Sequence, residues 1–197
     1  MVAAARLRTE RLILDPAKAE DLDEIFEIAR DRKSIEDFQS AAERIEDVRA
    51  WFDPSLEDPL NLVWIIRKDG RAIGLFDLYF EAEYSQTQGH VCRIGYFVSH
   101  REHRKGYATE ALAAVAEWVF GETQTTRIEA GVTLRNAASF RVLEKVGFVR
   151  EKVARGNWAW RGKVYDSAYY CLTKGCSGAP DRNPDSEQRH PRDHRPG

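Results

Sequence analysis

The sequence predicts a mixed α/β fold, one sheet with helices on its faces, and three stretches predict it. Asp69-Gly70 joins two apolar runs, a strong short-range signal for a β-hairpin. The alternating Ile94, Tyr96 and Val98 end in a basic, glycine-containing turn that opens into an apolar run at 111–120, which reads as strand, loop, helix. Residues 136–146 carry apolar side chains at helical spacing and stop at Gly147, the usual C′ position.

Taken in order, residues 6–14 alternate, with Leu12 and Leu14 on one side, and form a first strand closed by Pro16. Residues 21–30 have acidic residues in the first turn and Leu22, Ile25, Phe26 and Ala29 at helical spacing. Ser40 caps a second helix at 41–51, with Ile45 and Val48 on its stripe, ended by Pro54. Strands at 60–67 and 72–80 form the hairpin, and a polar turn at 86–90 leads to a strand at 91–98. A helix at 107–120, a strand at 127–134, a helix at 136–146 and a hairpin of 148–160 with 164–172 complete the order β, α, α, β, β, β, α, β, α, β, β. From Gly175 onward there is no apolar period, and four prolines stand among mixed charges, so 1–174 form the domain and 175–197 a disordered tail.

A chain of 197 residues supports one domain with a full core. Its net charge of −2 provides no global field for nucleic acid or an acidic membrane surface. Cys92, Cys171 and Cys176 form no metal-ligand spacing and leave an odd thiol, so a reduced, cytoplasmic setting without a metal is the simpler expectation. The first fifteen residues have no signal-peptide core, and no run approaches a membrane span.

The loop His103-Arg104-Lys105-Gly106-Tyr107-Ala108-Thr109 gathers backbone N–H groups, the positive end of a helix dipole and two cationic side chains around one point. A phosphate or pyrophosphate is its natural occupant. The plain alternative is an ordinary connection with solvated Arg and Lys. The loop has neither the Walker A spacing nor the Gly-x-Gly-x-x-Gly of a dinucleotide fold.

Leu7-Arg8-Thr9-Glu10-Arg11-Leu12, Ile94-Gly95-Tyr96, Lys105-Gly106-Tyr107-Ala108-Thr109-Glu110-Ala111-Leu112 and Asn136-Ala137-Ala138-Ser139-Phe140-Arg141-Val142-Leu143-Glu144-Lys145-Val146-Gly147-Phe148 together resemble the GNAT superfamily of acetyl-CoA-dependent N-acetyltransferases. Within it they resemble the RimJ/RimL-type branch, over residues 6–173. The resemblance implies a mostly antiparallel sheet splayed between the strand ending at Val98 and the strand starting at Arg127. Acetyl-CoA would lie in the gap, its pantetheine arm on the backbone of Phe97 and Val98 and its pyrophosphate on 103–109. The loop departs from the family pattern at His103, where Arg or Gln is usual, and at Arg104, where the branch often has Gly. An arginine there calls for an unstrained backbone.

Acetyl transfer to an amine needs a neutral amine, an oxyanion donor and a proton for the departing thiolate. Backbone N–H near Val98 is the candidate oxyanion donor. The resemblance points to Ser139 as proton donor. Asn136 shares its helix face and would position the pantetheine or the amine; the alternative for both is capping and polar packing. Glu129, on the face of its strand opposite Ile128, Ala130 and Val132, is the candidate base, acting through water. Its alternative is a salt bridge with Arg127 or Arg93, and Asp166 or solvent are rival bases. Trp158 and Trp160 form either a substrate wall or edge-strand packing. Cys92 has no His or Asp at useful spacing for covalent catalysis. The acceptor expected from the resemblance is a protein N-terminal α-amine or a small-molecule amine, and the branch often forms homodimers. The rival classes are a CoA-binding module without catalysis and a nucleotide-binding regulator.

Overall fold

The computed structural model describes residues 3–31, 33–34, 42–81, 90–160 and 163–175. The elements are β1 (Leu7–Arg8), β2 (Ile13–Pro16), α1 (Leu22–Ala29), α2 (Ile45–Glu57), β3 (Asn61–Lys68), β4 (Arg71–Phe80), β5 (His90–Val98), α3 (Tyr107–Glu122), β6 (Thr125–Thr133), α4 (Ala137–Val146), β7 (Val149–Trp160) and β8 (Lys163–Thr173). They build one eight-stranded sheet in the order β1-β2-β3-β4-β5-β6-β8-β7.

Local chemistry sets most boundaries. Asp69 and Gly70 both have positive φ, 49° and 79°, the conformation a two-residue hairpin turn requires, so β3 and β4 pair antiparallel as the sequence predicts. α4 begins under Asn136, whose side chain accepts from the Ser139 N–H, and ends at Gly147 with φ 102°.

Two elements differ from expectation. Residues 6–14 form two short antiparallel strands, β1 and β2, because the chain turns at Glu10 and Arg11. The turn is held by Thr9, whose N–H reaches the Leu12 carbonyl at 3.0 Å while its hydroxyl accepts from the Leu12 N–H. Pro54 does not end α2; the helix runs to Glu57. Beyond the proline the turn is kept by the Ser55 hydroxyl on the Trp51 carbonyl at 2.7 Å and the Asp58 N–H on the Pro54 carbonyl at 3.0 Å. The Ser40 cap and the tail from residue 176 lie outside the described residues, and α2 begins after Arg44.

Strand alternation divides the sheet into two faces. On one, α1 and α2 bury Ile25, Val48 and Phe52 against Val63, Ile65, Leu75 and Phe97. On the other, α3 and α4 bury Leu112, Val115, Val119 and Leu143 against Trp64, Phe76, Leu78, Ile94, Ile128 and Val132. Asp77 and Gly95 therefore share the α1/α2 face with Leu75 and Phe97, and Tyr96 shares the α3/α4 face with Ile94. Among the described residues no helix is long and apolar enough to cross a membrane.

The break in the sheet is at the one parallel pair among the described residues. β5 and β6 are in register only from His90 to Arg93, opposite Thr125 to Glu129. Beyond that point they share no pair, although β5 continues to Val98 and β6 to Thr133. β5 stays paired to β4 through Val98, and β6 to β8 through Thr133. The gap is thus a wedge with its vertex at Arg93 and Glu129.

Candidate active site

The wide end of the wedge is closed by the loop from β5 to α3. His103 turns its Nε2 onto the Val98 carbonyl at 2.9 Å, so its ring fixes the loop to the end of β5. Gly106, φ 82°, sets the entry to α3. Arg104 also has positive φ, 63°, which overturns the expectation of an unstrained backbone there. The position keeps the left-handed conformation that glycine tolerates and carries an arginine in it, at a cost of about 1 kcal/mol.

Distant residues hold this geometry. The Thr9 hydroxyl donates to Glu110 Oε1 at 2.5 Å, the Arg11 N–H donates to the same oxygen at 2.9 Å, and the Arg11 guanidinium pairs with Oε2. Arg11 also reaches the Lys105 carbonyl at 3.0 Å and lies 4.7 Å over the Tyr107 ring. Burial pushes the Glu110 carboxyl up, but the bonds from Thr9 and Arg11 outweigh it and hold the group below its ordinary range. Tyr107 is buried in the core, so only its backbone is available to a ligand. The N–H groups of Tyr107, Ala108 and Thr109 form the first turn of α3 and have no acceptor among the described residues. With exposed Arg104 and Lys105 beside them, they fit the diphosphate of coenzyme A.

The β5 side of the wedge presents backbone. Ser99 N–H reaches the Ile73 carbonyl at 2.7 Å, toward β4, and a Cβ at Gly74 would collide with the Phe97 carbonyl oxygen. By alternation, Phe97 and Gly95 direct their backbone groups at β4, and Tyr96 and Val98 direct theirs into the gap. The Phe97 backbone is thus engaged with β4, and the β5 backbone that faces the gap is that of Tyr96 and Val98. The Phe97 ring stands edge-on to Trp51 of α2, centroids 6.4 Å apart.

On the α3/α4 side, Ser139 Oγ lies 2.8 Å from the Tyr96 hydroxyl, and Asn136 Oδ1 holds the Ser139 N–H at 2.9 Å. Asn136 does cap α4, and it also lines the cleft together with Ser139 and Tyr96. Burial pushes the Tyr96 phenol up to about 12 against the pull of the Ser139 bond, so it remains a proton donor at neutral pH. The contact of Tyr96 with Ser139 is not legible in the sequence, although the place of Tyr96 on the alternating strand before the loop is. Cys92 is buried, which pushes its thiol up to about 12 and leaves it inert.

The cleft, about 1330 Å³, continues through the gap to the α1/α2 face. There Glu129 is bound by Arg127 Nε at 2.7 Å, with Arg93 Nε at 3.9 Å, so the alternative reading of Glu129 as an ion-pair partner is the one the geometry realises. Arg127 also grips both oxygens of Glu151. The rival Asp166 serves the β7–β8 ladder instead, accepting from Arg155 and from the Gly156 N–H, each at 2.9 Å. Trp158 and Tyr169 line the same end. Asp77, unmarked in the sequence reading, also lines the cleft, hydrogen-bonded to Asn61, and its Oδ1 has no partner. Among the described residues no cluster is placed to hold a metal ion.

A sheet opened between two parallel strands, with an anion-ready helix start at the wide end and paired hydroxyls on one lip, is the architecture of an acyl-CoA-dependent transferase. Residues 11–149 match the model of the acetyltransferase (GNAT) domain family, and the chain belongs to that family of acetyl-CoA-dependent N-acetyltransferases. It is 31% identical over 166 residues to the probable N-acetyltransferase YjcK of Bacillus subtilis (strain 168), covering 84% of this chain and 78% of that protein. Among solved structures, the self-immunity acetyltransferase MccE in complex with acetyl-CoA and AMP matches with a TM-score of 0.73 at 17% identity, over 84% of this chain and 94% of that one. RimL, a ribosomal α-N-protein acetyltransferase in complex with coenzyme A, matches with a TM-score of 0.73 at 15% identity, over 86% and 98%. At these identities the two structures share the fold.

Proposed function

We propose that this N-acetyltransferase moves acetyl directly from acetyl-CoA to a primary amine within a ternary complex, and that it stands with the RimJ/RimL-type branch. The acceptor is an amine of the kind a protein N terminus or a small-molecule amine presents. The observation that carries the reading is the two-sided wedge. Hydroxyl donors stand on its α3/α4 side, carboxylates on its α1/α2 side, and the gap-facing backbone of Tyr96 and Val98, with the Val98 carbonyl held by His103, runs between them.

In this reading the first turn of α3, with Arg104 and Lys105, holds the diphosphate. Tyr96 and Val98 hold the pantetheine amides, and the Val98 N–H receives the oxyanion. Ser139 protonates the departing thiolate and is resupplied through Tyr96, while Asn136 fixes the start of the helix that presents Ser139. With Cys92 buried and inert, no thiol among the described residues that line the gap invites a covalent acetyl-enzyme.

The test is thiol release from acetyl-CoA with spermidine, an alanyl tripeptide and kanamycin as acceptors. Turnover with intersecting double-reciprocal lines supports direct transfer, and parallel lines would refute it. Tight coenzyme A binding with no turnover on any acceptor would make the protein a binding module.

A further inference from the structure

Among the described residues three carboxylates line the cleft, those of Asp77, Glu129 and Glu151. Glu129 is bound by Arg127 and approached by Arg93; Glu151 is held by Arg127 and accepts from the Cys171 thiol. Asp77 alone of the three has no cation among the described residues. It lies on β4 between Leu75 and Tyr79, faces Gly95 across the ladder, and is flanked by Val63 of β3 on the other side. Gly95 sends no side chain over it, and Asp77 lines the cleft beside Gly95. Asn61 holds it by one hydrogen bond and leaves Oδ1 unpartnered.

A recessed carboxylate without a cation is costly, and the cost is offset when a cation arrives. The position suits an incoming amine. Asp77 is three residues along β4 from Gly74, which pairs with Val98, so it is displaced about 10 Å along the strand from the Val98 end. Glu129 instead sits at the vertex, where the strands are still zipped.

We infer that Asp77 receives the acceptor amine as its ammonium ion and takes one of its protons. This rests on the transferase reading above and adds the group that makes the acceptor nucleophilic. One ammonium proton passes to Asp77, and the freed lone pair closes on the thioester carbon. As the C–N bond forms and the C–S bond breaks, Ser139 protonates the thiolate and is restored by the second proton the nitrogen sheds. Asp77 then releases its proton to solvent. Ammonium and thioester thus yield amide, thiol and one proton. Burial pushes the Asp77 carboxyl above the ordinary range, partly countered by Asn61, in the direction a proton acceptor for an amine requires.

The test compares Asp77→Asn with wild type on two acceptor types, an alkylammonium probe (spermidine or the alanyl tripeptide, whichever wild type acetylates) and methoxyamine, which is already neutral at pH 7. The variant should lose about 100-fold in kcat/KM on the ammonium probe, while its rate on methoxyamine and its KM for acetyl-CoA stay within about 3-fold. Equal losses on both acceptors would make Asp77 structural, and no loss on either would remove it from the reaction. Wild-type inactivity on every amine would sink the transferase reading itself; an active wild type with an unaffected variant sinks only the role of Asp77. Asp77→Glu, which keeps the charge, should recover part of the ammonium rate.

Discussion

The pair Tyr96–Ser139 gives the sharpest prediction about the chemical step. Ser139→Ala removes the hydroxyl 2.8 Å from Tyr96 but leaves the Ser139 N–H on Asn136, so the start of α4 is undisturbed. A positioned acid contributes at least about 100-fold, or about 2.7 kcal/mol of barrier. Turnover should fall by that factor, with the Kd for acetyl-CoA changed less than about 3-fold, since the diphosphate loop lies elsewhere. Tyr96→Phe keeps Ser139 and the ring packing on Phe76, centroids 5.1 Å apart, and should cost about 10-fold by removing only the resupply. If the hydroxyls act as one unit, the double variant is no slower than Ser139→Ala alone. The assay is single-turnover thiol release, with calorimetry for affinity. Multiplying losses, about 1000-fold in the double variant, would show two independent roles and refute the relay. Unchanged single-turnover rates in Ser139→Ala would refute the acid.

Three further outcomes follow from the geometry. Glu129→Gln should change turnover by less than about 3-fold, because Arg127 keeps Glu151; a loss near 100-fold would restore Glu129 as the base. Glu110→Gln keeps an acceptor for Thr9 but loses the charge facing Arg11, and should lower stability by about 1 kcal/mol. Because the folded carboxyl of Glu110 is held below its ordinary 4.5, its contribution is full above that value and is lost as pH falls through the depressed one. The acid-unfolding curve of Glu110→Gln should therefore lose that limb, and an identical curve would contradict the clamp. Arg104→Gly relieves the left-handed backbone but frees the unfolded chain, so stability should move by less than about 0.5 kcal/mol. Its coenzyme A affinity should drop several-fold at low salt and converge on wild type at high salt. Tighter binding by the variant would mean the cation does not face the diphosphate.

Local features were readable from the sequence, and distant ones were not. Asp69-Gly70, the Asn136 cap and the Gly147 stop each rest on chemistry within a few residues, and the hairpin and α4 appear where expected. The sequence of 6–14 alternates like one strand, but its turn is stabilised by Glu110, about a hundred positions away, so it reads as two only once α3 is in place. The Tyr96–Ser139 contact likewise spans 43 residues. Family position and side-chain alternation do not reveal which backbone groups face a partner strand, so that the Phe97 backbone turns to β4 shows only in the ladder. Asp77 had one visible signal, a lone carboxylate inside the apolar run Leu75-Phe76-Asp77-Leu78. Only the fold shows that its two nearest rivals are already occupied by guanidinium groups.

The short stretch of shared register between β5 and β6 has a consequence for how such a protein can change. It joins two blocks, β1–β5 and β6–β8, each completed by ladders of its own. The hydroxyl relay bridges the blocks near that narrow seam, while the surfaces that would meet an acceptor lie out along each block. Residues on β4 and on the β7–β8 ribbon can therefore be exchanged to suit a new amine without loosening the grip on the shared acetyl donor, so one half of the chemistry stays fixed while the other drifts.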